Sequence, residues 1–160
     1  MIRILLESVD LNNFPIGKIV WVDAHFIKNG HLDKSHKIRP VIVVEHLPDH
    51  TTNVVPVEEY GDEMKAPRMG SVNAVTVTSY KPDANGVLLK SLDQQYDVDL
   101  DGYTGEGIWK PCKATCRYIY NLDDEAEVIP CEVIDQKYLT KILRKYIFAK
   151  QNNINVYPLK

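Results

Sequence analysis

Apolar positions in the first half of the chain alternate with polar ones or cluster in short runs, a pattern typical of β-strands. The segment "KIVWVDA" at 18–24 follows Gly17 and is rich in β-branched and aromatic residues, which predicts a half-buried strand. The segment "RPVIVVEH" at 39–46 contains an unbroken apolar run, which predicts a strand buried on both faces. Further strands are predicted for "TTNVVPV" at 51–57 and "SVNAVTVTS" at 71–79.

The second half of the chain is less regular until its C-terminal part. Glycines and a proline between 80 and 107 indicate turns, with short strands predicted in "VLLKSLD" at 87–93 and "YDVDLDGY" at 96–103. The segment "GIWKPCKATCRYIYNL" at 107–122 predicts one long or bent strand.

A helix is predicted for "DQKYLTKILRKYIFAK" at 135–150, because Leu139, Ile142, Leu143, Tyr146 and Ile147 recur at helical spacing. Asp135 is the expected N-cap, and Asn152 with Asn153 is expected to end the helix in a left-handed turn. Many short strands and one closing helix predict a mainly β fold, either a compact barrel or a strongly curved sheet capped by the helix.

Length and composition narrow the class of protein. A chain of 160 residues is large enough for one domain with a buried core. No apolar run approaches the roughly 18 residues that a membrane helix requires, so no membrane span is expected. The first residues, "MIRILLESVDLNNF", have too short an apolar core for a secretory signal, which predicts a cytoplasmic protein.

Charge is unevenly distributed along the chain. The net charge of −3 argues against a surface coated in positive potential, so any nucleic-acid site is expected to be local. One segment concentrates the cations Lys28, Lys34, Lys37 and Arg39. Another concentrates acids, namely Asp93, Asp97, Asp99, Asp101 and Glu106. A mosaic surface without functional meaning is an equally good interpretation of this distribution.

The sequence offers two possible metal sites, and both are disfavoured. Cys112, Cys116 and Cys131 are an odd number of cysteines without a secretion signal, so they are expected to be reduced. With a histidine they could form a zinc-stabilised adaptor, but residues four apart on a strand share a face, which favours two thiols packed in the core. A site from His46, Asp49 and His50 is disfavoured because this stretch is predicted to be a turn.

The loop "HFIKNGHLDKSHKIRP" at 25–40 combines three histidines with a terminal Arg-Pro. Histidine titrates near neutral pH, and arginine holds a phosphate through two parallel hydrogen bonds. This combination suits phosphodiester cleavage by a ribose 2′-hydroxyl, which requires a base, an acid and a cation but no metal. The alternative is a mobile, solvated loop that is merely basic.

The ordered strings "GKIVWVDA", "KIRPVIVVEH" and "NVVPV" resemble the MazF/PemK-like toxins of toxin–antitoxin systems, with the Arg-Pro junction as the most specific part. The resemblance covers about 17–57, and the later strand and closing helix are similar only loosely. It implies one domain over 1–160 with an insertion around 60–107, folded as a small SH3-like barrel of short antiparallel strands with a C-terminal helix. It also implies a homodimer that cleaves single-stranded RNA without metal or cofactor and is inhibited by an antitoxin protein.

The resemblance further implies roles for particular residues. Arg39 would be the catalytic arginine, with His36 first and His25 second as the general acid or base. Glu58 and Glu59 stand where family members carry a threonine or serine, which leaves Glu58 as a candidate base but puts catalysis in doubt, since carboxylates repel a phosphate. The expected RNA contacts are Lys28, His31, Lys34, Lys37 and Arg117, although "KATCR" lacks the aspartate that some members place before that last arginine.

The missing hydroxyl after Val57 motivates an alternative function. On the same barrel, a non-catalytic module would inhibit or regulate a protein partner, as the structurally similar CcdB toxins act on a topoisomerase. The sequence alone leaves both functions open.

Overall fold

The protein is mainly β, as predicted, with one long helix. The computed structural model describes residues 7–8, 14–23, 27–28, 31–32, 38–47, 72–108, 111–122, 127–152 and 156–159. The predicted strand at 51–57 lies outside these residues.

The described elements follow one another along the chain as twelve strands and one helix. They are β1 (Glu7–Ser8), β2 (Lys18–Asp23), β3 (Ile27–Lys28), β4 (His31–Leu32), β5 (Ile38–His46), β6 (Val72–Ser79), β7 (Lys81–Pro82), β8 (Leu88–Leu89), β9 (Asp97–Asp99), β10 (Cys112–Leu122), β11 (Glu127–Val133), α1 (Gln136–Gln151) and β12 (Val156–Leu159). Among the described residues, no helix is both long and apolar enough to cross a membrane.

Most strands form one sheet in the order β1-β11-β2-β5-β6-β10-β12, with β9 also paired to β10. Neighbouring strands are antiparallel except that β12 runs parallel to β10. Among the described strands the sheet does not close, since β1 and β12 are its two ends. Two small hairpins, β3-β4 and β7-β8, are not hydrogen-bonded into this sheet, although β3 lies close to β12.

The predicted strands at 18–24, 39–46 and 71–79 are confirmed as β2, β5 and β6. The prediction that the first is half-buried is wrong, because Ile19 is buried on one face and Val20 and Val22 on the other. Val41 to Val44 are all buried, as the unbroken apolar run predicted. Their neighbour Gly17 has a φ of +94°, and a Cβ at this position would lie 2.8 Å from a methyl carbon of Leu139. Glycine is therefore required where the chain turns into β2 against the helix.

Side chains divide between two faces of the sheet. The helix-covered face includes Ile19, Ile42, Val75, Cys112 and Ile119, which pack with helix residues such as Leu139 and Ile142. The opposite face includes Val20, Val22, Val41, Val43, Ala74 and Tyr120. The alternation of residues between these faces follows the two-residue period of a β-strand.

The long strand β10 is bent, as predicted. Its pairing with β6 shifts register between Thr115 and Ile119, so that 116–118 are extra residues in the ladder. This bulge lets Cys116 and Ile119 both pack in the helix-covered core, although they are three residues apart. Arg117 and Tyr118 at the bulge are exposed.

The helix begins after Asp135 as predicted, but its capping differs from the prediction. The Asp135 side chain makes no capping hydrogen bond. The chain leaves the helix at Asn152 with a φ of −106°, so the expected left-handed turn does not occur there. The side-chain amide of Asn152 instead donates to the carbonyl of Phe148 at 2.8 Å, which satisfies one of the terminal acceptors. Asn153 lies outside the described residues.

Candidate functional site

Five of the predicted site residues lie outside the described residues. They are His25, Lys34, His36, Lys37 and Glu58. Their roles in catalysis or RNA binding therefore stay predictions.

Lys28 and His31 come together in the small β3-β4 hairpin. They are directly paired across its ladder, as are Ile27 and Leu32. Two of the positions predicted to contact RNA are therefore neighbours in the fold.

Arg39 lies within β5, directly opposite Val22 of β2, and is half-buried. The strand period places it on the opposite face of the sheet, together with Val41 and Val43. Pro40 precedes Val41, where the ladder with β6 begins, so its missing N–H falls outside that ladder. The backbone of Arg39 is thus held by a strand pairing rather than by a loop.

A row of polar side chains crosses the opposite face beside Arg39. Val41 pairs with Thr76, so extending this register by two residues places Arg39 beside Thr78. Thr78 is in turn paired with Lys113 of β10. At about 4.8 Å between strands, the backbones of Arg39 and Lys113 are about 10 Å apart. The guanidinium of Arg39, the hydroxyl of Thr78 and the ammonium of Lys113 therefore belong to one row. Thr78 is exposed.

The adjacent row on this face is polar and buried. Thr76, Thr115 and Asp97 are directly paired across three strands and are each about 5–6% exposed. Oδ2 of Asp97 accepts a hydrogen bond from Nζ of Lys113 at 2.7 Å and another from the backbone N–H of Asp93 at 2.9 Å. Oδ1 of Asp97 has no hydrogen-bond partner among the described residues.

Burial by itself would raise the pKa of Asp97, but its neighbours outweigh burial. The ammonium of Lys113 lowers the pKa most, followed by the Thr115 hydroxyl and the backbone N–H of Asp93. The pKa of Asp97 is consequently below its ordinary value, and its charge is balanced by Lys113.

Two further acids near Asp97, namely Asp99 and Asp101, also have a cation as neighbour. Lys90 forms ion pairs with Asp99 and Asp101, and the Tyr80 hydroxyl donates to Asp99 at 2.8 Å. These partners hold the pKa of Asp99 low despite its partial burial. Asp99 is three strands from Arg39, or about 14 Å, beyond the screening length at physiological salt. The Arg39 end of the row is therefore its positive end.

Arg117 is not brought together with Arg39. Its guanidinium forms an ion pair with Asp93 and lies over the ring of Tyr96, 5.8 Å from the ring centre. Tyr96 packs against the helix-covered core, whereas Arg39 is on the opposite face. Arg39 and Arg117 therefore lie on different surfaces of the sheet.

A second polar cluster, which the sequence analysis missed, lies beneath the helix. Glu45, Asn73 and Asn121 are paired across three strands, and Asn121 donates to the side-chain oxygen of Asn73 at 2.9 Å. The Tyr146 hydroxyl donates to Oε1 of Glu45 at 2.7 Å, and Lys150 donates to both oxygens of this carboxylate. A polar residue between apolar ones, as in "VNAV" and "YNL", is the sequence signal that could have indicated the cluster.

This cluster is fully hydrogen-bonded, which suits a structural role better than a chemical one. Burial would raise the pKa of Glu45, but hydrogen bonds from Lys150 and Tyr146 lower it below its ordinary value. Burial and the neighbouring carboxylate raise the pKa of Tyr146 above its ordinary value. The pair is therefore a carboxylate accepting from a neutral phenol, an arrangement that positions the helix on the sheet.

The predicted packing of two thiols in the core is confirmed. Cys112 and Cys116 lie in the helix-covered core and are at most 1% exposed. Burial raises the pKa of each thiol to about 12, which disfavours the thiolate form that metals bind. Cys131, the third proposed ligand, is only half-buried. Within the described ranges, no group of three metal-ligating side chains converges.

Comparison with known proteins adds no family to this picture. No protein-family model matches the chain. No curated protein matches it either. Any function must be argued from the geometry and from the sequence resemblance.

Proposed function

We propose that this chain is a MazF/PemK-like toxin, a metal-independent endoribonuclease that cleaves single-stranded RNA in the cytoplasm. The observation that supports it most is the position of Arg39, which is half-buried in a paired strand and shares its row with the exposed Thr78. Since a strand restricts the backbone, its guanidinium is better placed to recognise a phosphate than one on a mobile loop. The mainly β fold with a C-terminal helix agrees with this proposal at the level of fold class.

In the proposed reaction a base removes the proton of a ribose 2′-hydroxyl, whose oxygen attacks the adjacent phosphorus. The bond to the 5′-oxygen breaks, and an acid protonates this leaving oxygen. Arg39 stabilises the additional negative charge of the phosphorane. His36, His25 and Glu58 are the proposed acid and base residues. The products are a 2′,3′-cyclic phosphate and a 5′-hydroxyl.

Thr78 supplies what the chain lacks after Val57. The resemblance expects a threonine or serine just after the third strand, and Glu58 stands at the corresponding sequence position. We propose that Thr78, exposed and in the row of Arg39, donates the hydrogen bond to the phosphate instead. The SH3-like closure of the barrel, the insertion around 60–107, the homodimer and an antitoxin partner belong to the same proposal.

The test is cleavage of a mixed-sequence RNA in the presence of a chelator. Wild-type protein should release fragments with 2′,3′-cyclic phosphates, and an all-deoxy oligonucleotide should remain intact. Arg39→Ala should lower the rate by about a hundredfold or more, the usual cost of removing a transition-state charge stabiliser. Lys81→Ala removes an exposed cation of β7 and should leave the rate unchanged. Intact RNA with wild-type protein, or full activity of Arg39→Ala, contradicts the proposal.

A second function is favoured by the apolar surface of the β7-β8 hairpin. Val87, Leu88 and Leu89 are 60, 42 and 55% exposed and adjacent in the chain. Contiguous exposed apolar residues mark protein interaction sites, which fits a non-catalytic inhibitor of a protein partner. If expression arrests growth, Leu88→Ser with Leu89→Ser should then relieve the arrest while Arg39→Ala does not. The opposite result contradicts this second function.

A further inference from the structure

Helix α1 is strongly basic. Within Gln136–Gln151 there are five cations and no acidic residue, although the whole chain has a net charge of −3. The cations are Lys137, Lys141, Arg144, Lys145 and Lys150. The helix packs on the sheet through a different set of residues, such as Leu139 and Ile142. Lys145 and Lys150 bond to Gln94 and Glu45 and so take part in the fold, which leaves the other three cations for a further role.

Three of these cations form a narrow stripe. Lys137, Lys141 and Arg144 follow each other at intervals of four and three residues, which places them on one side of a helix within about 60°. All three are exposed. In the described part of the chain, no carboxylate forms an ion pair with any of them. Their charge is therefore available to an external anion.

At its C-terminal end the stripe meets a cluster of two aromatic rings and a guanidinium. Phe148, four residues after Arg144, continues it and is 36% exposed. Its ring lies 5.8 Å from that of Tyr96, and the guanidinium of Arg117 lies 5.8 Å from the centre of the Tyr96 ring on the sheet side. Lys145 donates to the carbonyl of Gln94 at 2.6 Å and so fixes the 93–97 segment against the helix.

A line of cations that ends at an exposed phenylalanine ring, with the half-buried Tyr96 ring beside it, matches the pattern that binds single-stranded nucleic acid. Cations follow the phosphates, and each base has a π face that can stack on an aromatic ring or on a guanidinium. We propose that the stripe of Lys137, Lys141 and Arg144, together with Phe148 and Tyr96, binds single-stranded nucleic acid. An acidic peptide would use the cations but would not require the rings.

This surface is separate from the Arg39 row. Helix α1 covers one face of the sheet, and Arg39 lies on the other with Val41 and Val43. A nucleotide bound to the stripe cannot contact the guanidinium of Arg39. A single nucleic-acid strand could reach both sites only by passing around the edge of the sheet. The inference is therefore independent of whether the chain cleaves RNA.

The test measures binding of a fluorescein-labelled, mixed-sequence DNA oligonucleotide by anisotropy, since DNA lacks the 2′-hydroxyl required for cleavage. The triple variant Lys137→Gln, Lys141→Gln and Arg144→Gln should bind on the order of tenfold more weakly. Its slope of log affinity against log salt should be shallower by about 2, because three phosphate contacts are removed. The triple variant Lys137→Arg, Lys141→Arg and Arg144→Lys keeps the charge and should bind as wild type.

The aromatic part is tested with two neighbouring residues. Phe148→Leu removes the ring but keeps an apolar side chain, and it should weaken binding by about tenfold. Ile147→Ala changes a side chain that is 57% exposed but has no π face, and it should have little effect. Equal binding by Phe148→Leu and wild type overturns the assignment of single-stranded nucleic acid.

Three further outcomes decide between ligands and sites. Arg39→Ala should bind the DNA as wild type does. The proposal is overturned if this variant loses binding while the triple variant with three glutamines binds fully. Polyglutamate that displaces the oligonucleotide at equal charge concentration identifies an acidic protein segment and overturns it. Stripe-dependent binding to phosphatidylglycerol vesicles without binding to the oligonucleotide identifies a membrane surface and also overturns it. Thermal melting curves of the two triple variants, of Phe148→Leu and of Ile147→Ala should match that of wild type.

Discussion

On the helix-covered face Glu45 accepts hydrogen bonds from Asn73, Tyr146 and Lys150, and both its oxygens are used. On the opposite face Asp97 is more deeply buried, yet only its Oδ2 is hydrogen-bonded within the described structure. The first carboxylate joins two elements that must stay together, namely the helix and the sheet. The second has one ionic partner within the described ranges, Lys113 of the neighbouring strand β10. The carboxylate on the helix-covered face is thus fully hydrogen-bonded and structural, whereas the carboxylate on the opposite face keeps one oxygen without a partner in the described structure.

The largest effect is expected in the apolar packing of the helix-covered face. Ile142→Ala should lower the free energy of unfolding by about 3–4 kcal/mol, because this side chain is fully buried and its removal leaves a cavity. Ile147→Ala, on the exposed side of the same helix, should change it by less than about 0.5 kcal/mol. Urea unfolding measures both, and similar losses would mean that the helix does not cover the sheet in this orientation.

The next effect compares the two carboxylates through their lysines. Lys113→Met should destabilise by about 3 kcal/mol, because Asp97 would be left buried without a cation. Lys150→Met should cost about 0.5–1 kcal/mol, since the Lys150 side chain is half-exposed and Glu45 keeps two other donors. The same unfolding assay applies, and a larger loss in Lys150→Met would reverse the comparison.

The smallest effect is a dependence of stability on pH. Glu45 and Asp97 have pKa values in the folded protein below their ordinary values of 4.5 and 3.8. Each therefore contributes stability that is complete above those values and is lost as the pH falls through the lower, folded-state pKa. Unfolding free energies should decline below about pH 4.5, and less steeply in Glu45→Gln and Asp97→Asn. A variant that keeps the full wild-type decline shows that its carboxylate is not responsible.

The sequence by itself was sufficient for the strands and helix that have a strong local pattern. The apolar run of β5 and the helical spacing of α1 predict burial correctly, because hydrophobic periodicity reflects which side chains must leave water. It was also sufficient for the two core thiols, whose spacing of four places them on one face. The short strand β12 was missed, since a parallel edge pairing to β10 leaves no local signal in four residues.

The neighbours of each polar residue were decided by the tertiary structure alone. The bulge that makes Val44 an extra residue opposite β6 turns Glu45 towards the helix, where strict alternation would place it on the opposite face. The register of β5 on β6, extended by two residues beyond the Val41–Thr76 pair, brings Thr78 beside Arg39, although 39 residues separate them. The bulge of β10 likewise sends Arg117 to Asp93 and Tyr96 rather than towards Arg39. Local propensity selects strands, but register and bulges, which depend on contacts distant in sequence, select which side chains meet.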